Sequence, residues 1–220
     1  MFTGIVEAVG VITALEPKGE DIAVTVQSGK LDLSDVKLGD SIATNGVCLT
    51  VVKLTGHGYV ADLSLETLKR SSFAHYAAGQ RVNLEKALTP NTRLGGHLVS
   101  GHVDGVGEII SVQPLGRAKE YWVKAPDELA KYIAEKGSIT VNGISLTVNE
   151  VDGAAFKLTI VPHTTGETTV DEWQSGLRVN LEVDVISRYL ERLLLGEKAA
   201  HSSTKSNITM EMLAANGFLR

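Results

Sequence analysis

The chain has 220 residues, 43% hydrophobic and 21% charged, with a formal net charge of −5; this is ordinary globular composition, and an acidic balance without a basic run excludes nucleic acid as an expected partner. A single cysteine excludes a disulfide framework and a cysteine-rich metal site. No run of eighteen apolar residues offers a membrane span, and the first six residues lack the charged region of a signal peptide, so the expectation is a soluble cytoplasmic protein.

Short runs rich in Val, Ile, Leu and Thr, bounded by turn residues, predict strands over residues 4–15, 22–26, 41–54, 59–65 and 81–84. Residues 53–59 read as a hairpin turn. Asn45-Gly46 interrupts an apolar run and allows two readings, a type I′ turn or a bulge inside one long strand. A weak helical pattern covers 30–38, and a short helical turn is predicted at 67–73. A polar link with Pro90 and Gly95-Gly96 occupies 87–96.

Strands then return at 101–112, 121–124, 138–151, 156–161 and 178–183, with a hairpin turn at 152–155. Residues 127–135, following Pro126, have helical spacing in Leu129, Tyr132 and Ile133, and 168–173 predict another helical turn. Beyond the last strand, Val185, Ile186, Tyr189, Leu190, Leu193 and Leu194 form one apolar stripe that ends at Gly196. The stripe packs either on the chain's own barrels or on the same helix of other subunits. Residues 197–207 are polar and expected to be mobile, and a second short helix is expected over 208–216.

The recurrence is a repeat. With an offset of 97 and no gap, residues 1–85 lie over 98–182 with 23 of 85 positions identical, against roughly five expected by chance. Asn45-Gly46-Val47-Cys48-Leu49-Thr50-Val51 lies on Asn142-Gly143-Ile144-Ser145-Leu146-Thr147-Val148. Gly79-x-Arg81-Val82-Asn83-Leu84-Glu85 lies on Gly176-x-Arg178-Val179-Asn180-Leu181-Glu182. Five or six short strands per half predict an all-β protein with one small closed barrel in each half. The domains are then 1–97, 98–185, and a helical tail at 186–220.

A duplicated domain offers two similar pockets to two copies of one ligand. Thr50 and Thr147, Thr67 and Thr164, and Ser41 and Ser138 repeat a hydroxyl that can bond the same ligand group twice, or serve simply as strand formers. Elsewhere the halves differ: Cys48 lies over Ser145, Glu66 over His163, Ile5 over His102, and Phe2 over Val99. Unequal surroundings can drive two identical ligands into unequal roles. A lone cysteine reads as a small buried hydrophobe or as a site residue, and the loop histidines His97 and His102 as structural or catalytic. No Ser-His-Asp order, phosphate loop or paired-histidine metal spacing is present.

The opening Met1-Phe2-Thr3-Gly4-Ile5-Val6, the two Asn-Gly motifs, and Gly95-Gly96-His97-Leu98-Val99-Ser100-Gly101-His102-Val103 resemble the riboflavin synthase family, over about residues 1–195. The resemblance implies two tandem six-stranded Greek-key β-barrels and a C-terminal amphipathic helix that gathers three chains into a homotrimer. It implies dismutation of two 6,7-dimethyl-8-ribityllumazine molecules into riboflavin and 5-amino-6-(ribitylamino)uracil by transfer of a four-carbon unit, without metal or redox cofactor. Lumazine synthase is a further partner the family suggests. Each barrel would bind one lumazine, and catalysis would occur where the first barrel of one subunit faces the second barrel of its neighbour.

Carried onto this sequence, Gly4, Ile5 and Val6 line the first pocket, with Cys48, Leu49 and Thr50 opposite. Asp62, Leu63, Ser64, Leu65, Glu66 and Thr67 close it around the ribityl chain. Gly101, His102 and Val103 play the first part in the second pocket, Ser145, Leu146 and Thr147 the second, and Thr159, Ile160, Val161, Pro162, His163 and Thr164 the third. Lys136 reaches toward the other ligand. His102 would transfer the proton, Cys48 and Ser41 would orient the acceptor, Phe2 would stack on a ring, and Asp184 would tie the tail helix to the site. The rival reading is a lumazine-protein-like carrier that holds the ligand without turnover.

Overall fold

The computed structural model describes residues 1–200. The first six strands are β1 (Ala8–Lys18), β2 (Asp21–Gln27), β3 (Ser41–Thr44), β4 (Val47–Leu54), β5 (Gly58–Leu63) and β6 (Arg81–Lys86). They close into an antiparallel barrel in the order β1-β2-β5-β4-β3-β6. Pairing of β2 with β5, and of β6 with both β1 and β3, carries the chain across the barrel ends in a Greek-key path. Helix α1 (Leu65–Arg70) sits between β5 and β6.

The second half repeats the plan with β7 (Gly105–Leu115), β8 (Ala118–Lys124), β9 (Ser138–Val141), β10 (Ile144–Asp152), β11 (Ala155–Ile160), α2 (Pro162–Glu167) and β12 (Arg178–Val183). The closed order is β10-β11-β8-β7-β12-β9. Register shifts fall at matched places, Ile12/Ala14 with Ile109/Ser111 and Val51/Lys53 with Val148/Glu150. Such bulges bend a strand and raise its twist, which a small barrel needs in order to close.

Alternation fills each interior. Ile12, Val24, Val26, Leu49, Tyr59, Leu63 and Leu84 are buried in the first barrel, and Ile109, Tyr121, Val123, Phe156, Leu158 and Leu181 in the second. Each such side chain contributes about 1.5–3 kcal/mol when fully buried. A smaller apolar cluster of Phe2, Ala43 and Val99 also draws in Cys48 and Ala87.

Asn45-Gly46 is a turn rather than a bulge. Asn45 (φ 47°) and Gly46 (φ 80°) both take positive φ, and β3 pairs directly with β4 across them, as a type I′ turn requires. Asn142-Gly143 does the same. The predicted helix at 127–135 is a six-residue 3-10 turn, Asp127–Tyr132, because Ile133 is already extended and caps Ala130. The 30–38 segment forms turns only. Helix α3 (Val185–Leu194) carries the expected stripe, with Ile186, Tyr189, Leu190, Leu193 and Leu194 exposed. A 3-10 turn covers Gly196–Ala200. The helix expected over 208–216, and the polar stretch from 201 onward, lie outside the described residues.

Candidate functional site

The strand pairs β3–β4 and β9–β10 present matched outer faces. In the first, Ile42 and Leu49 oppose each other and turn into the core, so the neighbouring pairs Ser41/Thr50 and Ala43/Cys48 turn outward. Ser41 and Cys48 are half-buried and Thr50 is exposed. In the second, Ser138/Thr147 and Thr140/Ser145 take the outward positions.

What lies beside these faces reverses the expected pairing. The strand predicted from residue 4 begins only at Ala8, and the one predicted from 101 begins at Gly105. The freed segments cross to the opposite barrel. Ser145 N donates to Gly4 O at 2.7 Å, and Cys48 N donates to Gly101 O at 2.8 Å. Val6 packs against the second-barrel core and Val103 against the first. Gly4, Ile5 and Val6 therefore belong with Ser145, Leu146 and Thr147. Gly101, His102 and Val103 belong with Cys48, Leu49 and Thr50.

Two buried carboxylates explain why these segments leave the sheet. Glu85 accepts from Thr3 N and Thr3 Oγ1, each at 2.7 Å, and from Gly4 N at 2.9 Å. Glu182 accepts from Ser100 N and Ser100 Oγ at 2.6 Å and from Gly101 N at 3.0 Å. The carboxylates supply the acceptors that a strand ladder would otherwise provide. Gly4 and Gly101 then turn at φ 75° and 79°, in the left-handed region that suits glycine. Added Cβ atoms there would stand 2.7 Å from the Cβ of Ser145 and of Cys48 respectively. Burial raises the pKa of both glutamates, against the lowering effect of the donors.

Phe2 does not stack on an open face. Its ring is fully buried, packed beneath Gly101 with Val99, Ala43 and Cys48. Phe2 N donates to Val99 O at 2.8 Å, so the residue joins the two crossing segments. Leu49, Leu63 and Ile160 likewise turn their side chains into the cores. His102 is exposed beside the first barrel's face, its N–H held by Ser100 Oγ at 3.2 Å.

Asp62 faces outward from β5 and pairs with Lys18 at 2.7 Å, while its Oδ1 is buried without a hydrogen-bond partner. Ser64 caps α1 through Thr67 N at 3.2 Å, and its hydroxyl lies 3.0 Å from Thr67 Oγ1. Leu65 is exposed, and exposed Glu66 pairs with Arg70. At the matched end of the second barrel, Thr159 is half-buried, its N–H held by Asn149 Oδ1 at 2.7 Å. Val161 precedes Pro162 at the start of α2 without a side-chain cap, His163 is exposed and Thr164 is half-buried. Lys136 is exposed at φ 62°. Asp184 accepts Ile186 N at 3.0 Å and so caps the entry to α3. A cavity of about 690 Å³ opens beside α1 and β8, and Leu65 is the one expected site residue on its wall.

Sequence reasoning missed the residues that hold the faces together. Asn83 Nδ2 donates to Asn142 O at 2.9 Å, and Asn180 Nδ2 donates to Asn45 O at 2.8 Å. Asn83 Oδ1 accepts Thr169 N, and Asn180 Oδ1 accepts Ser72 N. Glu85 and Glu182 close the same repeated Asn-Leu-Glu motif. The available signal was polar identity inside otherwise apolar strands, repeated at the same place in both halves.

The family described as the lumazine binding domain matches residues 3–87 and again 100–184. Riboflavin synthase of Photobacterium phosphoreum is 59% identical over 219 residues, covering 100% of each chain. Riboflavin synthase of Bacillus subtilis (strain 168) is 42% identical over 218 residues, covering 99% of this chain and 100% of the other. Among solved structures, LumP complexed with riboflavin superimposes with a TM-score of 0.77 at 24% identity, over 83% of this chain and 99% of that one. LumP complexed with 6,7-dimethyl-8-(1'-D-ribityl) lumazine gives 0.75 at 23% identity over the same shares. At those identities the likeness concerns the fold.

Proposed function

The chain belongs to the riboflavin synthase family, and from that premise we propose how its two barrels share one reaction. It is an enzyme of the riboflavin synthase type, a transferase. Two 6,7-dimethyl-8-ribityllumazine molecules dismutate, a four-carbon unit passing from one to the other, to give riboflavin and 5-amino-6-(ribitylamino)uracil. The observation that carries this reading is the full-length match to relatives of that name across both lumazine-binding domains.

Chemistry between two copies of one molecule needs them held in fixed opposition. Each outer face offers a lumazine the same backbone frame: a glycine segment clamped by a glutamate, beside an exposed threonine, Thr50 or Thr147. The side chains differ. The first face carries Ser41, Cys48 and His102, and the second carries Ser145 with Ile5 nearby. A proton must leave the C7 methyl of one lumazine, where the resulting carbanion is delocalised into the ring, so a modest base suffices. Exposed His102 is the group assigned to that transfer, with Cys48 and Ser41 orienting the ligand beside it.

Both faces are open surfaces, and a site enclosing two lumazines would need the first face of one subunit against the second face of another. The exposed stripe of α3 offers an assembly surface for a homotrimer. The test is to mix the purified chain with the lumazine and follow riboflavin absorbance. One riboflavin per two lumazines consumed is expected. Bound lumazine that stays unchanged over hours would instead assign the chain a carrier role.

A further inference from the structure

The second barrel holds a buried polar contact that the first does not repeat. His97 lies between the link and the second repeat. Its N–H donates to Thr3 O at 3.1 Å, and its side chain is nine-tenths buried. His97 Nδ1 stands 2.7 Å from Ser145 Oγ, while Nε2 is buried without a hydrogen-bond partner. Gly96 closes over the same hydroxyl, since a Cβ added there would stand 2.9 Å from Ser145 Oγ and 2.1 Å from Thr3 O. The hydroxyl rotor of Ser145, free on most surface serines, is therefore tied on one side. Ser145 N is itself fixed by Gly4 O, so both the backbone and the side chain of this residue are held. The matched residue of the first barrel, Cys48, is a thiol packed among Phe2 and Gly101, with little hydrogen-bonding power.

We propose that His97 is a positioning residue: through Nδ1 it holds Ser145 Oγ toward the polar edge of a lumazine bound on the second barrel. This gives that barrel a fixed hydroxyl where the first presents a weakly bonding thiol. Two identical ligands thus meet different hydrogen-bonding partners at one repeat position. The inference rests on the function proposed above. Burial also lowers the His97 pKa, against the opposing charge of Asp184, which favours a neutral ring able to share one proton with the hydroxyl.

The test is a cycle of variants in the full chain: Ser145→Ala, His97→Ala, both together, and His97→Asn. Turnover of the lumazine is read as kcat/KM, with melting temperature as the folding control. Each alanine variant is expected to lose about tenfold, the worth of one hydrogen bond made in the transition state. The double variant is expected to lose no more than either single one, because His97 acts only through Ser145. His97→Asn, whose amide stands close to the place of Nδ1, is expected to recover to within about threefold of the parent. Losses that multiply in the double variant, or an asparagine variant as impaired as the alanine one, overturn the proposal. If His97→Ala does not fold, the same coupling is read between Ser145→Ala and His97→Phe, which keeps a ring in the buried space but has no Nδ1. A parent chain that makes no riboflavin would overturn the functional reading instead, and the positioning role with it.

Discussion

Gly46 and Gly143, which occupy the same place in the two repeats, touch each other. A Cβ on Gly46 would stand 2.8 Å from Gly143 N, and one on Gly143 would stand 2.6 Å from Gly46 N. Repeat mates can meet only where the twofold relating them passes, and Phe2 with Val99 is a second such pair. The two hairpin tips therefore mark the axis about which the crossing segments exchange.

That contact makes Gly46→Ala and Gly143→Ala costly for two reasons. Positive φ alone costs about 1 kcal/mol or somewhat more for alanine. The approach to backbone atoms adds to it, since nothing there can swing aside. Gly176, at φ 87° with open space around it, supplies the control. Urea unfolding is expected to give Gly176→Ala a loss of about 1 kcal/mol and either tip variant at least twice that. Equal losses at all three would mean the tips are not in contact.

Asn180 and Arg81 both join the two halves, and they should differ sharply in worth. Asn180 is buried, donating to Asn45 O and accepting from Ser72 N and Oγ. Its loss strands buried groups, at about 2–4 kcal/mol. Arg81 reaches Asp171 and Glu172 at 3.1 and 2.6 Å, with all three side chains more than a third exposed. Solvent screens that pair, so Arg81→Ala is expected to cost less than about 1 kcal/mol. Unfolding midpoints of Asn180→Ala and Arg81→Ala measure the contrast, and a larger loss for the arginine would refute it.

Glu182 ties stability to pH. Burial raises its folded pKa above the ordinary 4.5. Between those two values the folded state binds more protons than the unfolded one. The contribution is therefore full below the unfolded value and is lost as pH rises through the folded one. Glu182→Gln removes this proton uptake, so its unfolding free energy should fall less than the parent's as pH rises through and above the ordinary glutamate value. Glutamine also offers Ser100 and Gly101 one acceptor oxygen instead of two, so the segment bearing His102 should loosen and turnover should drop. Parallel pH profiles for parent and variant would show that Glu182 does not titrate with folding.

The duplication, the barrel class and the matched motifs were legible because they are written in spacing, and spacing survives without knowledge of contacts. Cys48 and Ser145 could be aligned by counting. What counting could not give was the partner of each. The resemblance, carried over one repeat at a time, places Gly4 near Cys48, whereas the fold sends Gly4 to Ser145, because Glu85 removes its segment from the sheet. Phe2 shows the same limit: an aromatic at a site-bearing terminus reads as a stacking platform, yet its ring is needed to fill the space under Gly101. The role of His97, open in the sequence between structural and catalytic, was hidden for a related reason, since it is written in a contact with a residue 48 positions away.

The crosswise arrangement sharpens the case for His102. Its segment is braced at three points: Gly101 N on Glu182, Gly101 O on Cys48 N, and His102 N on Ser100 Oγ. The backbone is thus fixed while the imidazole stays exposed on the face that carries Cys48 and Thr50. A rigid carrier with a free titratable tip is what proton transfer to a bound ligand requires, and no core packing depends on the ring. His102→Gln should therefore leave the unfolding free energy within about 0.5 kcal/mol of the parent while lowering kcat by about 10²-fold. Riboflavin absorbance under saturating lumazine, read beside the melting temperature, separates the two effects. If kcat is unchanged while lumazine still binds, the proton moves by another route and the assignment of His102 is wrong.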